Sequence, residues 1–133
     1  MGAWGVGPFD NDGALDALGV LDGTEDLAGG LASGMRELAD ADGYLEAPEL
    51  SGAVALACLV AARSRGAEDD AVASGWLCRN LFTPTGALRE AAHATLERAI
   101  RADDNELWEL WEESGSLDEW LTSLAPYQRA VSP

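Results

Sequence analysis

The sequence predicts an all-α fold, a compact bundle of about six or seven helices with an irregular glycine-rich N-terminal segment packed on it. Alanine occurs 24 times, against 12 for valine, isoleucine and threonine together, so local preference runs toward helix and away from sheet. Apolar residues recur at spacings of three and four rather than two. Cap residues, helix-initiating prolines and terminal glycines punctuate these stretches. A chain of 133 residues and 13.9 kDa suits one helical domain over 1–133, and 47% hydrophobic residues are enough to build its core.

The first helix is expected just after Phe9, capped by Asp10 or Asn11, with Leu15, Leu18 and Leu21 inward and Gly23 as its stop. Thr24 is expected to cap a second, whose inner face is Leu27, Leu31, Met35 and Leu38; Gly29, Gly30 and Gly34 weaken it unless another element approaches closely there. The third helix forms the centre. Pro48 suits a first turn, Leu50 to Ala62 is apolar nearly all round, and Arg63, Arg65 and Gly66 suit its negative end. A fourth runs from about Asp69 to Leu81 with Val72, Ala73, Trp76 and Leu77 inward. Thr83 before Pro84 opens a fifth, reaching about Ala102, with Leu88, Ala92, Leu96 and Ala99 inward. Two shorter helices follow. Asp103 with Glu106 reads as a capping pair before Leu107, Leu110 and Trp111, and Ser116 with Glu119 as a capping box before Trp120, Leu121 and Leu124, ended by Pro126.

Charge narrows the function. Twenty-four acids against eight bases, all arginine, leave a net −16, which disfavours nucleic acid and anionic membrane surfaces alike and leaves a basic protein as the expected partner. The longest apolar run, Ala53 to Ala62, is too short to span a bilayer. Met1 to Asp12 carries neither a basic nor an apolar leader region, and Val6 breaks the acylation pattern that Gly2 would begin, so a cytoplasmic location is expected. Cys58 and Cys78 both fall in helical patterns with no Cys-x-x-Cys spacing and read as buried, reduced thiols.

No constellation of residues specifies catalysis, a cofactor or a metal. Gly5-Val6-Gly7 lacks a preceding strand and a following lysine, and Asp10 and Asp12 would repel a phosphate; the glycines are read as letting the backbone lie against helices, with Trp4 and Phe9 as anchors. In the stretch 38–49, Asp40, Asp42, Gly43, Leu45 and Glu49 fall in a calcium-loop register, but Leu38 stands where the first ligand is needed and Pro48 is misplaced. His93, the only histidine, reads as a surface residue one turn from Glu97. The distinctive chemistry lies between Ala102 and Glu119, where eight acids and no base surround Trp108 and Trp111. Asp103, Asp104, Glu106, Trp108, Glu109, Trp111, Glu112 and Glu113 form a candidate acidic and aromatic face for a basic partner; the competing reading turns both indoles into the core.

The opening Gly2-Ala3-Trp4-Gly5-Val6-Gly7-Pro8-Phe9-Asp10-Asn11-Asp12, with the later Leu107-Trp108-Glu109-Leu110-Trp111, resembles a bacterial family known as domain of unknown function 4259. The resemblance implies a small bacterial protein in which Trp4, Gly5, Gly7, Phe9, Asp10, Asn11 and Asp12 form a structural signature. It carries no catalytic residues. Where the family pattern places a tryptophan in the first helix, this chain has Asp16-Ala17-Leu18, so the resemblance shifts that anchoring to Trp4. The sequence therefore points to a non-enzymatic protein-binding domain of the immunity or inhibitor kind. The alternatives are a small-molecule-binding protein or enzyme with an interhelical pocket near Trp4, Asp10 and Asp12, and a calcium-responsive domain.

Overall fold

The computed structural model describes residues 3–133; Met1 and Gly2, the latter part of the N-terminal motif, lie outside the described residues. The described chain forms seven helices: α1 (Asp12–Leu21), α2 (Leu27–Ala39), α3 (Ala47–Arg65), α4 (Ala71–Arg79), α5 (Gly86–Ala99), α6 (Glu106–Ser114) and α7 (Leu117–Val131). Among the described residues there is no strand, only two isolated β-bridges. The all-α expectation therefore holds.

The apolar run of α3 sets the architecture. Every residue from Leu50 to Ala62 is buried, and each of the other six helices packs against α3. Its small residues allow close crossing. Gly52 lies against Ala17 and the Gly13 carbonyl of α1, while a Cβ built on Gly13 would sit 2.6 Å from the Pro48 carbonyl oxygen. Gly34 of α2 likewise admits the Leu56 side chain, so this glycine serves a close approach. No helix among the described residues is long and apolar enough to cross a membrane.

Several local expectations are corrected by the packing. Helix α1 turns Ala14, Leu18 and Leu21 inward and leaves Leu15 exposed, because its glycine- and alanine-bearing side is the one that meets α3. Asp26, not Thr24, caps α2, accepting from the Gly29 amide at 3.1 Å; the Thr24 hydroxyl instead donates back to the Val20 carbonyl and helps close α1. Helix α4 is shorter than expected because Asp70 caps its start and Asn80 its end; Leu81 falls beyond it and Val72 lies on its outer side, and both are exposed. Thr85 rather than Thr83 caps α5, after an extended segment that carries Phe82 to Trp76 and the Arg63 guanidinium. Helix α5 ends at Ala99, short of Ala102.

The expected capping box at Ser116 does not form, since the left-handed Gly115 turn between α6 and α7 leaves the Ser116 side chain without a cap bond. Pro126 does not end α7. The Thr122 carbonyl, which loses its amide donor at Pro126, belongs to an exposed residue, and burial of Leu124, Tyr127 and Val131 carries the helix on to Val131. Cys58 is buried, and burial pushes its thiol up; Cys78 is exposed, contrary to expectation, on the outer side of α4.

The N-terminal segment packs as expected but by different contacts. Phe9 is buried edge-on to Tyr127, and Ser123 donates its hydroxyl to the Val6 carbonyl at 3.1 Å. Trp4 is 60% exposed and is not the anchor. Gly5 and Gly7 make room for the Asp10 carboxylate, which accepts from the Gly7 amide at 3.2 Å, rather than for a helix.

Buried polar groups fasten the bundle. The Trp76 indole donates to the Leu18 carbonyl at 2.9 Å, joining α4 to α1. Arg63 donates to the Leu77 and Asn80 carbonyls, and Arg98, only 5% exposed, donates to the carbonyls of Gly43, Asp103 and Asp104. Burial lowers the Arg98 pKa, although a guanidinium remains charged at neutral pH. Glu68 accepts from the Tyr127 hydroxyl at 2.8 Å beside Arg65.

The α1–α3 crossing makes a paired prediction. Gly13→Ala would drive a Cβ into backbone and destabilise by about 1–3 kcal/mol despite its better helix propensity. Gly19→Ala, in the same helix with nothing near its Cβ, would stabilise by roughly 0.5–1 kcal/mol. Urea denaturation of both variants checks the opposite signs.

Candidate functional site

The site begins at a junction between two helix starts. Leu45 and Asn105 form a parallel bridge in which the Leu45 amide donates to the Asp104 carbonyl at 2.9 Å and the Glu106 amide donates to the Leu45 carbonyl at 3.0 Å. Asn105, fully buried, completes the junction. Its Oδ1 caps α6 by accepting from the Trp108 amide at 2.8 Å, and its Nδ2 donates to the carbonyls of Ala99 and Arg101. The expected cap, Asp103, is exposed, and Asp104 adopts a left-handed φ of 50° to lead into the junction.

Glu106 does not reach back to its own helix start. Its Oε1 instead accepts from the Ala47 amide at 2.7 Å and caps α3, where Glu46 makes no side-chain cap bond. The first turns of α3 and α6 are thereby held side by side, and the start of α1 faces them. Between the three lies a cleft of about 380 Å³. Ala47, Pro48, Leu107, Leu110 and Trp111 give it an apolar lining, and Asp12, Asp16 and Glu106 bring carboxylates from two different helices. Trp111 stacks on Trp120 of α7 at 6.3 Å, and its indole Nε1–H is buried without an acceptor.

The predicted acidic face divides into two parts. Glu106 and Trp111 belong to the cleft, while Asp103, Asp104, Glu109, Glu112 and Glu113 are exposed. Trp108 and Trp111 are each partly buried against the core, so neither the fully exposed nor the fully buried reading describes them. Among the described residues none of the eight carboxylates between Ala102 and Glu119 has an arginine within ion-pair distance. Glu109 accepts a hydrogen bond of 2.9 Å from the exposed Tyr44 hydroxyl. That bond, with the nearby glutamates, pushes the phenol up to about 12.

The N-terminal signature is only partly at the site. Asn11 and Asp12 line the cleft, whereas Phe9 is core and the Asp10 carboxylate folds back onto Gly7. Asp16, Ser51 and Leu110 went unrecognised from sequence. The spacing of Asp12 and Asp16, one turn apart on the polar side of α1, was the only local signal available.

The other candidates are placed elsewhere. His93 is partly buried without an ion pair to Glu97, in a depression shared with Arg89 and Ser132, whose hydroxyl donates to the Gln128 carbonyl. Asp40 is the C-cap of α2, Leu45 belongs to the α6 junction and Pro48 to α3; among the described residues no group of three or more His, Cys, Asp or Glu side chains gathers as a metal site.

A family model described as "Domain of unknown function (DUF4259)" matches residues 2–123. No curated protein and no solved structure matches the chain.

Two measurements follow from this geometry. Asn105→Ala would remove the α6 cap and orphan the buried Ala99 carbonyl, and would destabilise by about 2–3 kcal/mol in urea denaturation. The Tyr44 phenol, raised from 10.0 to about 12, contributes stability in full below pH 10, and this is lost as pH rises through 12. Phenolate absorbance of the folded protein should therefore show no step at pH 10, since Tyr127 is also raised, and Glu109→Gln should bring the Tyr44 step to lower pH.

Proposed function

We propose that this chain, which belongs to the DUF4259 family, is a non-enzymatic binding domain of the immunity or inhibitor kind that presents the α6 side of its surface to a basic partner protein. One observation carries the reading: among the described residues none of the eight carboxylates between Ala102 and Glu119 has an arginine partner, and the partly exposed Trp108, Leu110 and Trp111 lie among them beside a cleft. Such a surface attracts cations over a distance and offers apolar anchors at contact, the combination that sets association rate and then residence. The charge of −16 works in the same direction.

A second reading, a small-molecule-binding protein or enzyme using an interhelical pocket, is favoured by the same cleft. Asp12 lines it, but Trp4 and Asp10 do not, so Asp10 and Asp12 are not together there.

The binding reading is tested by crosslinking the protein in its own cells, purifying the partner found and titrating it at low and high salt. A basic partner is expected, its affinity falling at least about tenfold between the two conditions. Glu112→Gln/Glu113→Gln should weaken it further while leaving the melting temperature in place. A neutral or acidic partner, or an affinity indifferent to salt, would overturn the reading.

A further inference from the structure

We infer that the cleft between the first turns of α1, α3 and α6 is a socket for one arginine side chain of the basic partner protein, an inference that rests on the binding reading above. Its volume, about 380 Å³, lies at the small end of the ligand-pocket range of about 300–1,000 Å³, which suits one long side chain rather than a whole cofactor. The lining is apolar where the stem of such a side chain would lie, along Pro48, Leu107 and Leu110, and includes the Trp111 indole, a surface on which a guanidinium stacks.

The electrostatics select a cation. Three helix starts meet at the cleft, and each contributes roughly +0.5 of an elementary charge, about +1.5 together. Asp12, Asp16 and Glu106 contribute −3, so the balance is negative even before the outer acids are added. Glu106 spends one oxygen on the Ala47 amide and retains the other. Among the described residues these carboxylates do not form a group of three or more that could close around a metal ion. They come from separate helices, and a planar head with several diverging N–H donors can meet such acceptors where an ammonium would satisfy fewer.

The outer acids Glu109, Glu112 and Glu113 on the same helix as Trp111 extend the negative surface beyond the cleft, which suits an arginine carried on a basic protein rather than a small isolated cation.

The test uses the full chain and N-acetyl-arginine N-methylamide as probe, followed by amide and indole NMR shifts. Saturable shifts are expected at Asp12 to Asp16, Ala47 to Ser51 and Glu106 to Trp111. The isosteric neutral citrulline probe should bind at least about fivefold more weakly. Asp12→Asn and Asp16→Asn should each weaken the arginine probe by a similar factor with an unchanged circular dichroism spectrum. Asp16→Asn, beyond the first turn of α1, carries the test if Asp12→Asn disturbs that helix start. Equal binding of the two probes, shifts confined to the outer Glu112 and Glu113, or no effect of either variant would overturn the socket. Putrescine binding as tightly as the arginine probe would overturn the polypeptide source and favour the small-molecule reading. A purified basic partner that binds with salt dependence but ignores Asp12→Asn and Asp16→Asn would sink the socket and leave the binding reading standing. An arginine probe that fills the cleft while no basic partner is found would sink the binding reading, and the partner half of this inference with it.

Discussion

A helix with no solvent face exists only if neighbours close over it on every side, and α3 imposes that condition on the whole chain. Thirteen consecutive buried residues, Leu50 to Ala62, give it no polar stripe along which to lie at a surface. The neighbours can come close because alanine and glycine dominate where they cross it, most tightly where Gly13 and Ala17 of α1 meet Pro48 and Gly52. Interior packing tolerates little added volume, so the small side chains set the helix spacing as much as the leucines supply the driving force. The position of α1 over the start of α3, and hence the existence of the cleft, follows from that crossing.

The arginines deepen the charge asymmetry that composition already contains. Arg63 and Arg98 direct their guanidinium groups at main-chain carbonyls, where they hold loops in place, rather than at carboxylates. Among the described residues only Arg65 with Glu68 and Arg79 with Asp22 form ion pairs. Asp22 is held below its ordinary value by Asn80 and Arg79. The remaining acids have no arginine partner among the described residues, and on α6 Glu106 and Glu109 accept only neutral donors, the Ala47 amide and the Tyr44 hydroxyl. The field around this protein is thus a product of the fold as well as of the residue count.

Much of the architecture was legible because long apolar periodicity is a strong signal. The α3 helix, the inner faces of α2 and α5 and the burial of Phe9 follow from residue pattern alone. Helix ends were less legible because several acceptors compete for the same free amides. At α2 the cap is Asp26 and not Thr24, at α5 Thr85 and not Thr83, and at α6 Asn105 and not Asp103; for Asn105 the reason is a second role, since its amide also binds the carbonyls of Ala99 and Arg101 at the end of α5. Pro126 was misread for a related reason, since tertiary burial beyond it outweighs one lost hydrogen bond. The acidic character of α6 was visible from sequence, but the cleft was not. Asp12, Ser51 and Leu110 are separated by many residues, and the α1–α3 crossing, the Leu45–Asn105 bridge and the Glu106 cap of α3 bring their segments together.

The bridge at Leu45 also couples occupancy to cohesion. A guest held by α1, α3 and α6 at once would clasp three segments that separate when the chain unfolds, so binding must raise the melting point by mass action whatever the guest proves to be. A thermal-shift survey of compound or peptide collections can therefore find the natural occupant without any prior assay of activity.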